Sequence, residues 1–234
     1  MLTRRALFKT ASALCVSMAN LKRVSAAGPK LNTTVAFDVP RGACDAHVHV
    51  VGEPEEFPMS PERDYTPPAA TADDLVEMLK FLNIERAVIV TPTVYGNDNS
   101  VTLAAIEKLG RDRARGVALV DDQPGFKSVL SLVKSRRAYV KLSEPYRLSK
   151  KAPEYGDLVP VVRALLAANP DRLLWGSGWP HVDSTPVAGR SNTDLAPNLP
   201  VDTGHLLNLF ARWVPDAEIR RTILVENPAR LYRF

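Results

Sequence analysis

Cysteine is scarce in this chain, with two in 234 residues, Cys15 and Cys44. Cys15 falls in an N-terminal stretch with the features of a removable leader, so a mature chain would hold one thiol and no intramolecular disulfide. No apolar run approaches the ~20 residues that span a bilayer, which excludes a transmembrane bundle. An excess of one charge is lacking as well. The formal net charge is +4, but Arg4, Arg5, Lys9, Lys22 and Arg23 all lie in residues 1–27, which hold no acid. The remainder is close to neutral and has no basic stripe interleaved with aromatics, so nucleic acid is not an expected partner. No Gly-x-Ser-x-Gly elbow occurs, which removes the usual serine-hydrolase arrangement. Internal repeats and interdomain linkers are absent too. What is present, 45% hydrophobic and 24% charged residues, is the composition of one globular domain with a sizeable core.

Residues 1–27 read as an export signal. They have a short basic start, a mildly apolar stretch from Ala11 to Leu21, and small residues around Val24-Ser25-Ala26-Ala27 suited to a signal peptidase. The run Thr3-Arg4-Arg5-Ala6-Leu7-Phe8-Lys9 resembles the twin-arginine address, whose pathway carries proteins already folded in the cytoplasm. The expected location is therefore periplasmic or exported, with residues 28–234 forming the mature domain.

From Gly42 onward the chain alternates strand-like and helix-like segments. Ala43 to Val51 is a short apolar run bounded by Gly42 and Gly52, as in a buried parallel strand. Cys44 within it reads more readily as a small buried strand residue than as a nucleophile or ligand. After a Pro-rich and charged loop over 53–70, Thr71 is placed to cap a helix whose apolar face is Leu75, Met78, Leu79 and Leu82. Strands are expected over Arg86 to Thr91, Arg115 to Val120, Ala138 to Leu142 and Arg172 to Trp175. Helices are expected over Ser100 to Leu109, Phe126 to Val133, Leu158 to Ala168, Asp202 to Trp213 and Asp216 to Val225. Such alternation argues a parallel α/β architecture with helices outside.

His47-Val48-His49 is the most informative tripeptide. Side chains two apart in a strand point the same way, so both imidazoles can project toward one point at the carboxyl end of the strand. Two neutral imidazoles there suit a divalent metal or the polarisation of a substrate oxygen. A merely structural pair is the competing reading, since His-x-His alone is common.

The ordered set of motifs is more specific. Asp45-Ala46-His47-Val48-His49 is followed by Arg63-Asp64-Tyr65-Thr66-Pro67-Pro68, Gly96-Asn97-Asp98-Asn99, Val140-Lys141-Leu142-Ser143-Glu144-Pro145-Tyr146-Arg147 and Leu174-Trp175-Gly176-Ser177-Gly178-Trp179-Pro180-His181. From about Gly42 to Phe234 this resembles the amidohydrolase-related family, in particular its 2-pyrone-4,6-dicarboxylate lactonase-like branch. The resemblance implies a TIM-barrel-derived (β/α)8 hydrolase acting on a lactone, amide or ester of a small, carboxylated molecule. It implies that His47 and His49 hold one divalent metal such as zinc or, without metal, polarise the substrate carbonyl. It also implies that Arg147 grips a substrate carboxylate through its fork of donors. Tyr65, Asn99 and His181 match substrate-binding positions, and His181 also orients its loop.

Two departures qualify that reading. The aspartate that ends the eighth strand in the family is Gly178 here, and no nearby residue is expected to replace it; Asp183, five residues on, lies in a loop. Only five strands are found where a closed barrel has eight, and the shortage falls between Asp121 and Pro124. The expected fold is therefore an incomplete barrel of about five βα units, whose open edges favour a homo-oligomer. A working hydrolase, a catalytically impaired relative that binds a small carboxylated ligand, and a truncated gene product all remain open. Replacing both Arg4 and Arg5 by Lys is expected to leave unprocessed precursor in the cytoplasm. Normal export and cleavage of that variant in a fractionation experiment would remove the twin-arginine assignment.

Overall fold

The computed structural model of the chain describes residues 31–117, 133–134, 136, 139–185 and 187–234. The expected leader, most of the helix over Phe126 to Val133, and residues 118–120 and 138 of two expected strands lie outside the described residues.

Five short strands are present: β1 (Cys44–Val48), β2 (Arg86–Val90), β3 (Ala114–Val117), β4 (Val140–Ser143) and β5 (Leu173–Gly176). All pairings among them are parallel, in a β1-β2-β3 sheet and a β4-β5 sheet. Backbone bonds at the strand ends join the two sheets, with Gly178 N donating to His47 O at 2.8 Å and His49 N donating to Trp179 O at 2.8 Å. The strands thus run in the order β4-β5-β1-β2-β3. No ladder links β3 to β4 among the described residues.

The helices α1 (Ala72–Phe81), α2 (Ser100–Leu109), α3 (Pro145–Leu148), α4 (Val159–Ala168), α5 (Thr203–Trp213), α6 (Ala217–Arg221) and α7 (Asn227–Tyr232) follow or flank the strands. Thr71 caps α1 in a full capping box, with its backbone N–H donating to Asp74 and its hydroxyl accepting from the Asp74 N–H. Leu75, Met78, Leu79 and Leu82 are all buried, each stabilising the fold by roughly 1.5–3 kcal/mol. The last helical stretch runs past the expected Val225 to Tyr232. A wide π turn over Thr222–Glu226 accommodates Pro228, which cannot fill an ordinary α-helical interior position. Asn227, fully buried at that junction, donates to both Pro170 O and Leu173 O at 2.8 Å and ties the helix to the start of β5.

The two faces of the sheet are chemically distinct. Ala87, Ile89, Leu173 and Trp175 join the large cluster formed with the helices, whereas Cys44, Ala46, Val88 and Leu174 form a small cluster on the opposite, inner face. Outside β4 and β5 lies a cavity of about 410 Å³, lined among others by Leu142, Leu165, Trp175, Phe210 and Trp213.

One irregularity decides where the site lies. Asp45 pairs with Ala87 and Val48 with Ile89, and the register shifts between them. Both partners face the helices, so the bulge absorbs one residue and turns His47 to the inner face. The carboxylate of Asp45 holds this arrangement, its Oδ1 accepting from His47 N at 3.1 Å and from Ser177 N at 3.0 Å. Asp45→Ala would leave both N–H groups without that acceptor and is expected to cost about 3 kcal/mol in chemical denaturation, whereas Asp45→Asn, which keeps an acceptor oxygen, should cost less than half as much.

Candidate active site

Gly176 lets β5 approach the turned His47. A Cβ there would lie 2.5 Å from His47 Cβ and 2.9 Å from its backbone N. His47 and His49 then stand edge to face, ring centroids 5.1 Å apart at 71°. The Nδ1 of His49 lies 2.9 Å from Val90 O. Since a carbonyl only accepts, Nδ1 carries the proton and Nε2 is left as the acceptor. The Nδ1 of His47 is buried without a hydrogen-bond partner among the described residues.

Beyond β5 the backbone of Gly178 takes φ +74°, and a Cβ at that position would lie 2.8 Å from both Glu144 Cδ and Tyr146 OH. The space an acidic side chain would enter from residue 178 is therefore filled by Glu144, which the sequence did not single out. This corrects the expectation that nothing nearby supplies a carboxylate. Glu144 itself sits at φ +49°, ψ +51°, a left-handed conformation costing a residue with a Cβ about 1 kcal/mol, and its side chain is only 15% exposed.

The four-residue α3 begins at the next residue and presents two partners. Arg147 Nε donates to Glu144 Oε1 at 2.6 Å, and Tyr146 OH donates to the same oxygen at 3.0 Å. Tyr146 OH also lies 3.2 Å from His181 Nδ1, while His181 Nε2 lies 2.8 Å from Thr203 Oγ1. A hydrogen-bonded chain thus runs from the start of α5 through His181 and Tyr146 to Glu144. Sequence reasoning missed α3 because one turn of helix leaves no periodicity to read.

The remaining expected residues are placed as follows. Arg147 is 42% exposed and also reaches Ser184 Oγ at 3.2 Å. Tyr65 is half-buried and close enough to Arg147 to act on its charge. Asn99 accepts from Thr91 Oγ1 at 2.7 Å and donates to Asn97 O at 3.0 Å, fastening the loop between β2 and α2. His181 is fully buried at φ +61°. Asp183 turns its carboxylate onto the Thr185 N–H at 3.0 Å within its own loop. His205 lies in the first turn of α5, its Nε2 3.2 Å from Pro153 O.

Burial dominates the electrostatics. It pushes the imidazoles of His47 and His181 down to about 3 and lowers that of His49. The charges of Lys141 and Arg147 reinforce the effect on His47, whereas Glu144 opposes it at His49 and His181. Burial also lowers the ammonium of Lys141, which shares the inner face with Leu174, and raises Asp45 to about 6 against its two backbone hydrogen bonds. All three histidines are thus neutral at pH 7.

A divalent metal needs three or more such donors around one point. Among the described residues no group of three or more His, Cys, Asp or Glu could hold a metal ion. His47 and His49 are two nitrogen donors, and Asp45 Oδ1 is engaged by two N–H groups. Among the described residues the donor set thus falls short of the three protein ligands of a zinc-type site.

The amidohydrolase family model matches residues 44–124 and 117–234, and the chain belongs to that family of hydrolases. The 4-sulfomuconolactone hydrolase of Rhizobium radiobacter is 29% identical over an alignment of 293 positions, covering 88% of this chain and 95% of the relative. The 2-pyrone-4,6-dicarboxylate hydrolase of Comamonas testosteroni is 27% identical, with 84% and 92% covered. Among solved structures, an Agrobacterium tumefaciens protein without ligand superposes with a TM-score of 0.67 at 21% identity, over 87% of this chain and 98% of that one. A candidate 2-pyrone-4,6-dicarboxylic acid hydrolase from Pseudomonas putida gives 0.61 at 18%, over 83% and 98%. The fold is accordingly TIM-barrel-like. The first alignment is longer than this chain's 234 residues, and the two family-model matches meet at residues 117–124.

The shifted groups set a pH dependence of stability. His47 and His181 take up protons on unfolding between about pH 6.5 and 3, and His49 acts in the same direction, which destabilises the fold as pH falls through that window. Asp45, raised to about 6, acts oppositely between about 4 and 6. Three groups outweigh one, so the urea midpoint should fall steadily from pH 6.5 to 4, and the fall should be shallower in His181→Gln.

Proposed function

We propose that this amidohydrolase opens the ring of a small lactone bearing a carboxylate, in a barrel reduced to about five βα units. The observation that carries the reading is the convergence, at one end of the parallel strands, of two neutral imidazoles with the half-buried carboxylate of Glu144 and a partly exposed guanidinium. His47 is the group that donates to the lactone carbonyl, and His49, its Nδ1–H held by Val90 O, presents the lone pair of Nε2 beside it. Arg147 has five N–H donors, only part of which are engaged, and it receives the substrate's carboxylate with Tyr65 at its side. Asn99 and His181 line and brace the site. The named substrates of the relatives, a sulfomuconolactone and a pyrone dicarboxylate, are both lactones with acidic substituents, which supports this class.

The reduced barrel is supported by the absence of a β3 to β4 ladder among the described residues and by an alignment longer than the chain. Unpaired strand edges there would favour association between copies. Residues 1–27 direct the product to the periplasm. No helix among the described residues is long and apolar enough to cross a membrane.

The test is hydrolysis of 2-pyrone-4,6-dicarboxylate and 4-sulfomuconolactone, followed by ring absorbance. His47→Ala is expected to lower kcat about 10²-fold, the usual effect of removing one group that stabilises the developing oxyanion. Arg147→Lys should mainly raise KM, because a point charge cannot grip a carboxylate in two places. Ring opening that persists unchanged in His47→Ala would overturn the assignment.

A further inference from the structure

We propose that Glu144 is the general base and acid of this site, its carboxylate delivered from the end of β4 into the space over Gly178. The inference rests on the lactone-hydrolase reading and assigns the proton transfers that the reading leaves open.

Ring opening by water needs a group that takes a proton from the attacking water and returns one to the leaving ring oxygen. The neutral histidines are poorly suited. His181 is bonded through both ring nitrogens, and His49, whose Nε2 is open, is buried and so made a weaker base than a free imidazole. Asp45 faces the helices, with Oδ1 bonded to two backbone N–H groups. Glu144 differs from them. Its side chain fills the volume that the missing Cβ of Gly178 leaves, next to the residue whose N–H bonds His47 O, and its charge acts on both His49 and His181. Tyr146 and Arg147 bond only its Oε1, and its Oε2 has no hydrogen bond among the described residues. A carboxylate anchored through one oxygen and open at the other is arranged to bind a water.

In the step, the water oxygen forms a bond to the lactone carbonyl carbon while one of its protons passes to Glu144. The tetrahedral intermediate collapses, the ring C–O bond breaks, and the proton on Glu144 passes to the departing oxygen. The products are a hydroxyl and a carboxylic acid, which ionises to solvent, and Glu144 is again a carboxylate.

Four proteins assayed with 2-pyrone-4,6-dicarboxylate test this: the unaltered chain, Glu144→Gln, Gly178→Asp, and the double variant Glu144→Gly with Gly178→Asp. Glu144→Gln should lose 10² to 10⁴-fold in kcat with KM changed less than fivefold, and its rate should lose the acid limb that the unaltered chain shows. Gly178→Asp alone should be crowded by Glu144 and no better than the unaltered chain. The double variant removes the crowding and gives the left-handed position 144 a glycine; it should recover at least tenfold over Glu144→Gln. Circular dichroism checks that each is folded. An active chain whose Glu144→Gln variant keeps its rate within threefold, or its acid limb, overturns the role of Glu144 while leaving the hydrolase reading intact. An unaltered chain inert on this lactone and on 4-sulfomuconolactone overturns the hydrolase reading itself and the role with it.

Discussion

The carboxylate of Asp45, buried between the first and last strands, is the interaction on which the rest of the site depends. Its Oδ1 accepts from His47 N and from Ser177 N, so one side chain fixes both the bulge in β1 and the loop after β5. The bulge decides which face His47 occupies, and the loop decides where Gly178 places the opening that Glu144 fills. Burial raises this carboxyl to about 6, so holding it costs free energy that the two hydrogen bonds offset only in part. Its other oxygen, Oδ2, is buried without a partner among the described residues. Position, more than net stability, is what such a group contributes.

The electrostatics around that frame separate neutral groups from charged ones. Burial keeps the imidazoles uncharged, so that His47 can donate to a carbonyl without attracting an anion. Charge is concentrated instead in the pair of Glu144 and Arg147, at 2.6 Å and next to solvent on the arginine side. A substrate carboxylate approaching Arg147 competes with Glu144 for the same guanidinium. Binding would therefore loosen the carboxylate that the proposed chemistry needs, coupling recognition to proton transfer through one ion pair.

Two backbone positions with positive φ lie against each other at this spot, Glu144 at +49° and Gly178 at +74°. In the usual economy of strand ends the glycine occupies the left-handed position and the side chain projects from an extended one. Here one such position bears the acid and the other is bare, and the side chain of the first fills the space of the second. The exchange keeps a carboxylate at the strand end while changing the strand that carries it.

Much of the scaffold was legible in the sequence. The bounds of α2, Ser100–Leu109, follow from its flanking turns, and the Thr71 cap and its buried apolar face follow from local hydrogen-bonding and period-3.6 rules. The shared orientation of His47 and His49 is also local in origin, set by alternation along a single strand. The one-turn helix α3 and the π turn before Pro228 were not legible, because neither is long enough to impose a period. The bulge and the place of Glu144 were not legible for a different reason. A register shift is defined only by the neighbouring strand, and Glu144 meets Gly178 across 34 residues of chain, through a contact that exists only once β4 and β5 have paired. The sequence by itself determined the longer helices, the five strands, the family and the histidine pair, all of which depend on near neighbours or on ordered motifs. The tertiary structure alone decided which face the histidines use and which carboxylate stands beside them, because both are distances between segments that only packing brings together.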